Sequence, residues 1–163
     1  MYKVGFGYDI HRFDLDNLSD ENHIILCGVK IVNIYKIISH SDGDIPVHAL
    51  MDALLGACGL DDIGCYFPNN DPQYKDISSL LLLTKVNDLI ATKGFNIVNI
   101  DITIVCENPK INTYKLSMIN NLSSILKISK DQIAIKATTN EGLGDIGKGN
   151  GICSMANVML IKT

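Results

Sequence analysis

The N-terminal third of the chain carries a carboxylate and three imidazoles whose spacing is typical of a metal site. Asp9 and His11 are two residues apart, so on a strand both side chains lie on the same face. His40 and His48 follow, and His48 is expected in the first turns of a helix. Three N/O ligands from distant segments are usual for a catalytic zinc ion with one open position. The alternative is unrelated histidines, since a lone histidine is weak evidence, but the combination favours a metal site.

Three further clusters of polar residues lie where loops are expected. Segments 62–64 and 67–71 offer a carboxylate for sugar hydroxyls and a proline turn that could align a polyol. Segment 106–110 follows the end of a predicted strand, a common position for ligand contacts in α/β layers. Segment 136–141 presents hydroxyls and a carboxylate before a run of glycines that lets backbone approach a ligand. Ordinary turn chemistry of Asn, Asp and Gly is the alternative for each cluster.

The hydrophobic pattern predicts the elements that must position these residues. Strands are expected at 2–11, at 23–38 as two short strands or a hairpin-like excursion, and at 96–106, 132–138 and 153–162. Helices are expected at 47–58, 78–93 and 112–126, with Asp44 as the cap of the first. Segment 60–75 is predicted as loop, and the Gly-rich segment 142–151 separates the last two strands. Core candidates on the strand at 96–106 are Ile97, Ile100, Ile102, Ile104 and Val105.

This element order predicts an α/β (α+β) fold formed by a single domain, 1–163. The expected architecture is a two-layer sandwich, in which a mixed sheet carries its helices on one face. The other face of the sheet would be rich in apolar side chains with nothing in the chain to cover it. A subunit interface is the natural cover, so an oligomer is expected.

One further carboxylate lies within the first predicted helix. Asp52 is one helical turn after His48 and shares its face. It could orient a metal ligand by hydrogen bonding, as residues around metal ligands often do. A cap or turn contact elsewhere is at least as good an explanation.

Composition narrows the classes of partner. The chain has 163 residues, 47% of them hydrophobic and 20% charged, and a formal net charge of -4 with Arg12 as its only arginine. The sequence has no basic stripe that would suggest nucleic-acid binding. With a single arginine, the negative charge of a polyphosphate ligand would have to be neutralised by metal ions, lysines and backbone N–H groups. Five cysteines without a Cys-x-x-Cys pair favour a reducing compartment. The apolar runs are short for a membrane span and no signal peptide is recognised, so a soluble, cytoplasmic protein is expected.

Several of these stretches together resemble one enzyme family, the 2-C-methyl-D-erythritol 2,4-cyclodiphosphate synthases. The resemblance runs from Val4 to the C-terminal strand, so it covers nearly the whole chain. The stretches that carry it are Asp9-Ile10-His11, Ser39-His40-Ser41-Asp42-Gly43-Asp44, His48-Ala49-Leu50, Asp52-Ala53-Leu54-Leu55-Gly56, Asp62-Ile63-Gly64, Phe67-Pro68 and Lys136-Ala137-Thr138-Thr139.

The resemblance implies a reaction and a set of metal ions. The substrate would be 4-diphosphocytidyl-2-C-methyl-D-erythritol 2-phosphate, whose 2-phosphate attacks the β-phosphorus so that CMP leaves. Asp9, His11 and His48 would bind Zn²⁺ or another divalent transition metal. Glu141 would hold Mg²⁺ or Mn²⁺ on the substrate diphosphate. Members of the family are homotrimers with active sites between subunits.

The resemblance also implies roles for individual residues. His40 and Thr139 would be catalytic, because they match positions that align the substrate and stabilise the transition state. Substrate-binding positions would be Asp9, Ile10, His11, His40, Ser41, Asp62, Ile63, Gly64, Phe67, Pro68, Asn69, Asn70, Asp71, Cys106, Glu107, Asn108, Pro109, Lys110, Ile111, Asn112, Thr138, Thr139, Asn140, Glu141, Asp145 and Lys148. In a trimer, segments 106–112 and 138–141 would come from the neighbouring subunit.

The chain departs from the family pattern at a few of these positions. Asp145 and Lys148 stand where the family usually has Phe and Arg, near the three-fold axis and a cavity that takes isoprenoid diphosphates. A carboxylate makes that cavity less apolar, which argues against this ligand. Asn140 replaces a usual Thr, and Asn69 and Asn70 replace a more acidic or hydroxyl-bearing pair. These residues still form hydrogen bonds, so they should tune affinity rather than abolish it.

Two other functions remain open on the residues alone. A zinc hydrolase could use Asp9, His11 and His48 to activate water for phosphoester cleavage, and it would consume one water per turnover. A non-enzymatic trimer that binds a small metabolite would not need metal ligands, so its binding would survive removal of metal. Fold alone does not decide between these functions.

Overall fold

The computed structural model describes residues 1–68, 70–74 and 77–163. The strands in these ranges are β1 (Tyr2–Arg12), β2 (His23–Leu26), β3 (Val29–Val32), β4 (Phe95–Val105), β5 (Ile133–Thr138) and β6 (Gly151–Lys162). The helices are α1 (Ile45–Ala57), α2 (Ile63–Tyr66), α3 (Ser79–Thr92), α4 (Lys115–Leu126) and α5 (Gly144–Gly147). Single 3₁₀ turns lie at Pro72–Tyr74, Asn112–Tyr114 and Lys130–Gln132.

Four strands form one mixed sheet in the order β1-β6-β4-β5. β6 is antiparallel to both of its neighbours, and β4 pairs with β5 in parallel. β2 and β3 form a separate antiparallel hairpin, which was one of the two alternatives for residues 23–38. The predicted mixed sheet and α+β class are therefore confirmed.

The helices cover one face of the sheet. α1 contacts β1 and β6, α3 contacts β4, and α4 contacts β5. All five predicted core residues of β4 are buried. Ile97, Ile100, Ile102 and Ile104 belong to the core under the helices, whereas Val105 follows Ile104 on the other face and lies outside that core. α1 supplies much of the rest of the core, because its residues are almost all buried.

Two glycines of β1 bring α1 unusually close to the sheet. A Cβ added at Gly5 would lie 1.9 Å from the carbonyl oxygen of Ala53, and one added at Gly7 would lie 1.9 Å from that of Ala49. A side chain at either position would therefore separate the helix from the strand. Asp9 follows Gly7 on the same face of β1, so the close approach also sets the distance between Asp9 and α1.

The opposite face of β1 carries a row of exposed apolar side chains, which we call the β1 stripe. It consists of Tyr2, Val4, Phe6, Tyr8 and Ile10, which are between 48% and 68% exposed. Alternate residues of a strand share a face, so the five lie in one line. The stripe agrees with the expectation of an apolar face that the helices leave uncovered.

The prediction that residues 60–75 form only loop was wrong, and the Gly-rich segment 142–151 also contains a short helix. The first segment contains α2 and the turn Pro72–Tyr74, and the second contains α5. The side chain of Asp62 accepts a hydrogen bond from the Cys65 N–H at 3.2 Å, which stabilises the first turn of a helix in a polar segment. Of the predicted loop residues, Asn69 and Lys75 lie outside the described ranges.

All five cysteines are free thiols, and Cys27, Cys106 and Cys153 are buried. This agrees with the prediction that the chain has no disulfide framework. Among the described helices, none combines the length and apolar character that crossing a membrane requires.

Candidate active site

Asp9, His11 and His48 come together at the junction of β1 and α1. Asp9 Oδ2 lies 3.2 Å from His11 Nε2 and 3.0 Å from His48 Nδ1. One potential ligand atom from each residue lies within 4.8 Å of the other two. The two β1 residues share the face that points to α1, and His48 lies in the first turns of that helix. The structure thus gathers the three side chains that the sequence assigns to a metal.

The electrostatics of the three groups favour a cation between them. Partial burial of Asp9 opposes its ionisation, but the hydrogen bonds with His11 and His48 outweigh this and lower its pKa to about 2. The hydrogen bond with Asp9 raises the pKa of His11, against the opposing effect of burial. Positive charge near the Asp9 carboxylate is therefore stabilised, whether a proton or a metal ion supplies it.

The donor set fits zinc or another divalent transition metal. Tetrahedral zinc with bonds of about 2.0–2.1 Å requires ligand atoms about 3.3 Å apart, close to the two distances measured from Asp9. The second ring nitrogen of each histidine is already engaged. His11 Nδ1 lies 3.1 Å from the carbonyl oxygen of Ile38, and His48 Nε2 lies 2.8 Å from Ser79 Oγ. Metal-binding histidines are commonly oriented in this way.

A cavity of about 790 Å³ opens beside the three side chains. Many of its walls come from residues that the resemblance assigns to the substrate, namely His40, Ser41, Ile63, Gly64, Phe67, Asn70 and Asp71. Asp62 and Pro68 do not line it, since Asp62 instead caps α2. Asn69 lies outside the described residues.

An aromatic part of this cavity was not predicted. Tyr74 lines it, and its ring meets the ring of Phe67 edge to face with centroids 5.4 Å apart. Ile38, Ser39, Pro72 and Leu82 complete the lining and were also missed. An aromatic residue within a long polar loop was the available signal for Tyr74.

Most of the remaining predicted residues, in segments 106–112 and 138–141, form a second cluster at the ends of β4 and β5. The Cys106 N–H donates to the Thr138 carbonyl at 3.1 Å, and the Asn140 N–H donates to Glu107 Oε1 at 2.9 Å. The Thr139 hydroxyl donates to Glu141 Oε1 at 3.1 Å. Segments 106–112 and 138–141 therefore lie side by side, away from the metal-ligand candidates and outside the lining of the 790 Å³ cavity.

The sheet register gives the separation of the two clusters. His11 pairs with Ile152 of β6, and the next residue, Cys153, pairs with Val105 of β4. Val105 in turn pairs with Thr138 of β5. Three strand spacings of about 4.8 Å separate the backbones at His11 and Thr138, or about 14 Å in total. Within one chain, Thr139 and Glu141 therefore do not face the cavity that His11 lines.

Asp145 and Lys148 belong to neither cluster. Asp145 lies on α5 and lines a second cavity of about 540 Å³, together with Ile10, Arg12 and His11, which also lines the first cavity. Lys148 ends α5 and does not line that cavity. Ile10, assigned to the substrate by resemblance, alternates with Asp9 and His11 along β1, so its side chain lies on the opposite face of the strand.

Two carboxylates, Asp52 on α1 and Asp44 just before it, make hydrogen bonds next to the site. Asp52 Oδ1 accepts a hydrogen bond from the Ile63 N–H at 2.8 Å, so it holds the start of α2 and has no described contact with His48. The turn contact is therefore the correct one of the two alternatives for Asp52. Asp44 accepts hydrogen bonds from the backbone N–H groups of Cys27 and Gly28, both at 2.7 Å. Burial raises the pKa of Asp44 to about 7, although these two N–H groups oppose the rise.

Comparisons with known proteins agree with this geometry. The sequence model of the YgbB family matches residues 2–161. The 2-C-methyl-D-erythritol 2,4-cyclodiphosphate synthase of a Nostoc species is 46% identical, and the alignment covers 99% of this chain and 94% of that protein. A bifunctional enzyme IspD/IspF of Bartonella tribocorum is also 46% identical over 98% of this chain, which spans only 39% of that longer relative.

A solved structure has the same fold. IspF of Plasmodium falciparum, in a complex with CDP, superposes with a TM-score of 0.85 and 40% identity, covering 99% of this chain and 97% of that one. The family model and the relatives extend over both clusters of candidate residues. The chain therefore belongs to the YgbB family.

Proposed function

We propose that this protein is a cyclodiphosphate synthase that converts 4-diphosphocytidyl-2-C-methyl-D-erythritol 2-phosphate to 2-C-methyl-D-erythritol 2,4-cyclodiphosphate and CMP. The name and 46% identity of the full-length Nostoc relative support this proposal. The observation that carries it is the convergence of Asp9, His11 and His48 on one wall of a cavity of about 790 Å³. The reaction belongs to the formation of isoprenoid precursors.

The reaction needs no protein nucleophile. An oxygen of the substrate's 2-phosphate forms a bond to the β-phosphorus, the bond from that phosphorus to the bridging oxygen breaks, and CMP leaves with the electron pair. No water is consumed, so the enzyme is a phosphorus–oxygen lyase. A metal ion held by Asp9, His11 and His48 would supply Lewis-acid stabilisation of phosphate charge.

The protein's own residues would orient the reacting groups and exclude water. His40 and Ser41 line the cavity next to the metal-ligand candidates, in a position to bind phosphate oxygens. Phe67 and Tyr74 form an apolar wall that would keep water from the reacting phosphorus. Since phosphoryl transfer depends mainly on positioning and on electrostatic stabilisation, these contacts would supply part of the catalysis.

The complete site would form between subunits of a homotrimer. Thr139 and Glu141 lie in the second cluster, about three strand spacings of ~4.8 Å from His11, which is too far to complete the same cavity within one chain. A neighbouring copy could bring its second cluster, with segments 106–112 and 138–141, to this cavity. There it would bind the cytidine end and, through Glu141, a magnesium or manganese ion. Burial of the β1 stripe would stabilise the assembly.

Product analysis tests this function. The protein is incubated with the cytidylyl substrate, zinc and magnesium, and the reaction is followed by phosphorus NMR. We expect CMP and a cyclic diphosphate in equal amounts, and loss of both when a chelator removes the metals. CMP with a linear bisphosphate would identify a hydrolase instead.

The free thiols support a reducing compartment such as the cytoplasm as the place of this activity.

A further inference from the structure

A chain of polar contacts leads from the buried His48 through the buried Ser79 to a partly buried carboxylate that the proposed reaction does not use. His48 Nε2 lies 2.8 Å from Ser79 Oγ, and Ser79 Oγ lies 2.5 Å from Asp42 Oδ1. Ser79 is the first residue of α3, and its backbone N–H also donates to Asp42 Oδ2 at 2.7 Å. On its other side, the His48 ring presents Nδ1 to Asp9 Oδ2 at 3.0 Å.

The direction of each hydrogen bond follows from the donors available. A carboxylate oxygen accepts, so in the short contact the Ser79 hydroxyl donates its hydrogen bond to Asp42 Oδ1. Ser79 Oγ can then only accept from His48, which requires a hydrogen on Nε2. With Nε2 as the donor, the free lone pair of a neutral His48 ring lies on Nδ1, and this atom faces Asp9.

Burial makes this arrangement specific. Ser79 is fully buried and His48 is only 8% exposed, so water is a poor substitute for the serine hydroxyl. Ser41 Oγ also approaches Nε2, but at 3.4 Å, which is much longer than the contact with Ser79. The N-terminus of α3, held by Asp42, thus keeps one acceptor fixed against the His48 ring.

We propose that Ser79 and Asp42 are positioning residues, which accept the Nε2 hydrogen of His48 and so present its Nδ1 to the metal site. The inference rests on the proposed metal centre and adds two residues to which neither the resemblance nor the comparisons assign a role. In the other tautomer a hydrogen would occupy Nδ1 and prevent it from binding a metal. Loss of such a supporting contact typically weakens metal binding by about 10- to 100-fold.

Zinc affinity of the full chain tests the proposal without measuring activity. The dissociation constant for zinc alone is determined by competition with a chromophoric chelator. Ser79→Ala should bind zinc about 10- to 100-fold more weakly than the wild type. Ser78→Ala is the matched control, because Ser78 precedes α3 and its side chain makes no capping hydrogen bond. Equal zinc affinity in Ser79→Ala and the wild type would overturn the proposal.

A second variant tests the direction of the hydrogen bonds, and it also tests the proposal if Ser79→Ala does not fold. In Asp42→Asn the side-chain amide can donate to Ser79 Oγ, which frees the hydroxyl to donate to His48 Nε2. That arrangement favours a hydrogen on Nδ1, so zinc affinity should fall at least 10-fold. An unchanged affinity would contradict the inference.

Nitrogen NMR of the zinc-loaded wild type locates the metal on the ring. We expect zinc at Nδ1 of His48 and a slowly exchanging hydrogen on Nε2, whereas zinc at Nε2 would overturn the proposal. These experiments test the metal centre and the positioning role of Ser79 and Asp42 separately. If the wild type binds no zinc, the proposed metal centre is wrong. If the wild type binds zinc and Ser79→Ala binds it equally well, only the role of Ser79 and Asp42 is wrong.

Discussion

His48 Nδ1 lies 3.0 Å from Asp9 Oδ2, although the two residues are 39 positions apart in the sequence. The contact depends on Gly5 and Gly7, which let α1 lie directly against β1. It also depends on Asp44, which caps α1 and so fixes where the helix begins. The metal-ligand candidates are thus a consequence of how closely one helix packs on one strand.

His48→Ala should abolish metal binding at this site and nearly all cyclase activity. Three ligands leave little redundancy, because loss of one leaves only two protein atoms to hold the ion. Elemental analysis of the purified variant measures this directly. His40→Ala is the control, since His40 lines the cavity but is not among the three ligand candidates, and its metal content should stay normal. Full zinc occupancy in His48→Ala would refute the ligand assignment.

Gly7→Ala should destabilise the protein and disturb the metal site. The new Cβ would meet the Ala49 carbonyl oxygen, so α1 must shift at a cost of about 1–3 kcal/mol or more. Gly56→Ala is the matched control, because Gly56 lies in α1 and an added Cβ has no neighbour within 4 Å. There the better helix propensity of alanine should stabilise by about 0.5–1 kcal/mol. Chemical denaturation measures the free energy of unfolding of both variants. Equal stabilities of Gly7→Ala and Gly56→Ala would contradict the close packing of α1 on β1.

Asp52→Ala should weaken substrate binding while metal binding is retained. The substitution leaves the Ile63 N–H without its acceptor and loosens α2, which carries Ile63 and Gly64 to the cavity wall. A lost cap of this kind costs about 1 kcal/mol of stability. The expected result is a higher KM with normal zinc content. A loss of zinc similar to that in His48→Ala would restore the idea that Asp52 orients the metal ligand.

Thr139→Ala and His48→Ala should each be inactive, yet regain part of the activity when they form mixed trimers. Their residues lie in different clusters of one chain, and the backbones at His11 and Thr138, which mark these clusters, are three strand spacings or about 14 Å apart. A site between subunits could therefore combine an intact His48 from one chain with an intact Thr139 from the next. Activity after co-refolding of the two variants is the measurement. No recovery, with mixed trimers verified by mass, would argue against shared sites.

The sequence predicted the metal-ligand candidates because their geometry is local. Strand alternation puts Asp9 and His11 on one face, and the cap at Asp44 starts the helix that carries His48. Those two features are readable from residue order alone. The proximity of His48 to Asp9 and His11 was inferred from ligand chemistry and from the resemblance. The close packing of α1 on β1 at Gly5 and Gly7 explains this proximity.

Other parts of the site were missed because they depend on contacts between distant segments. α2 forms in a polar segment since Asp52, on another helix, accepts the Ile63 N–H. Ser79 lies 31 positions from His48 in the sequence. The sequence pattern predicts only a helix cap for a serine at the start of a helix. Its contact with His48 becomes visible only when α3 is packed against α1.

Oxygen isotope labelling of the products tests the proposed cyclisation most directly. The reaction is run in water enriched in oxygen-18 with zinc and magnesium, and the products are analysed by mass spectrometry. Because the attacking oxygen belongs to the substrate's own 2-phosphate, we predict CMP and a cyclic diphosphate that both lack the label. One labelled oxygen per turnover, carried by a linear phosphate product, would show that water is the nucleophile and would contradict the proposed function.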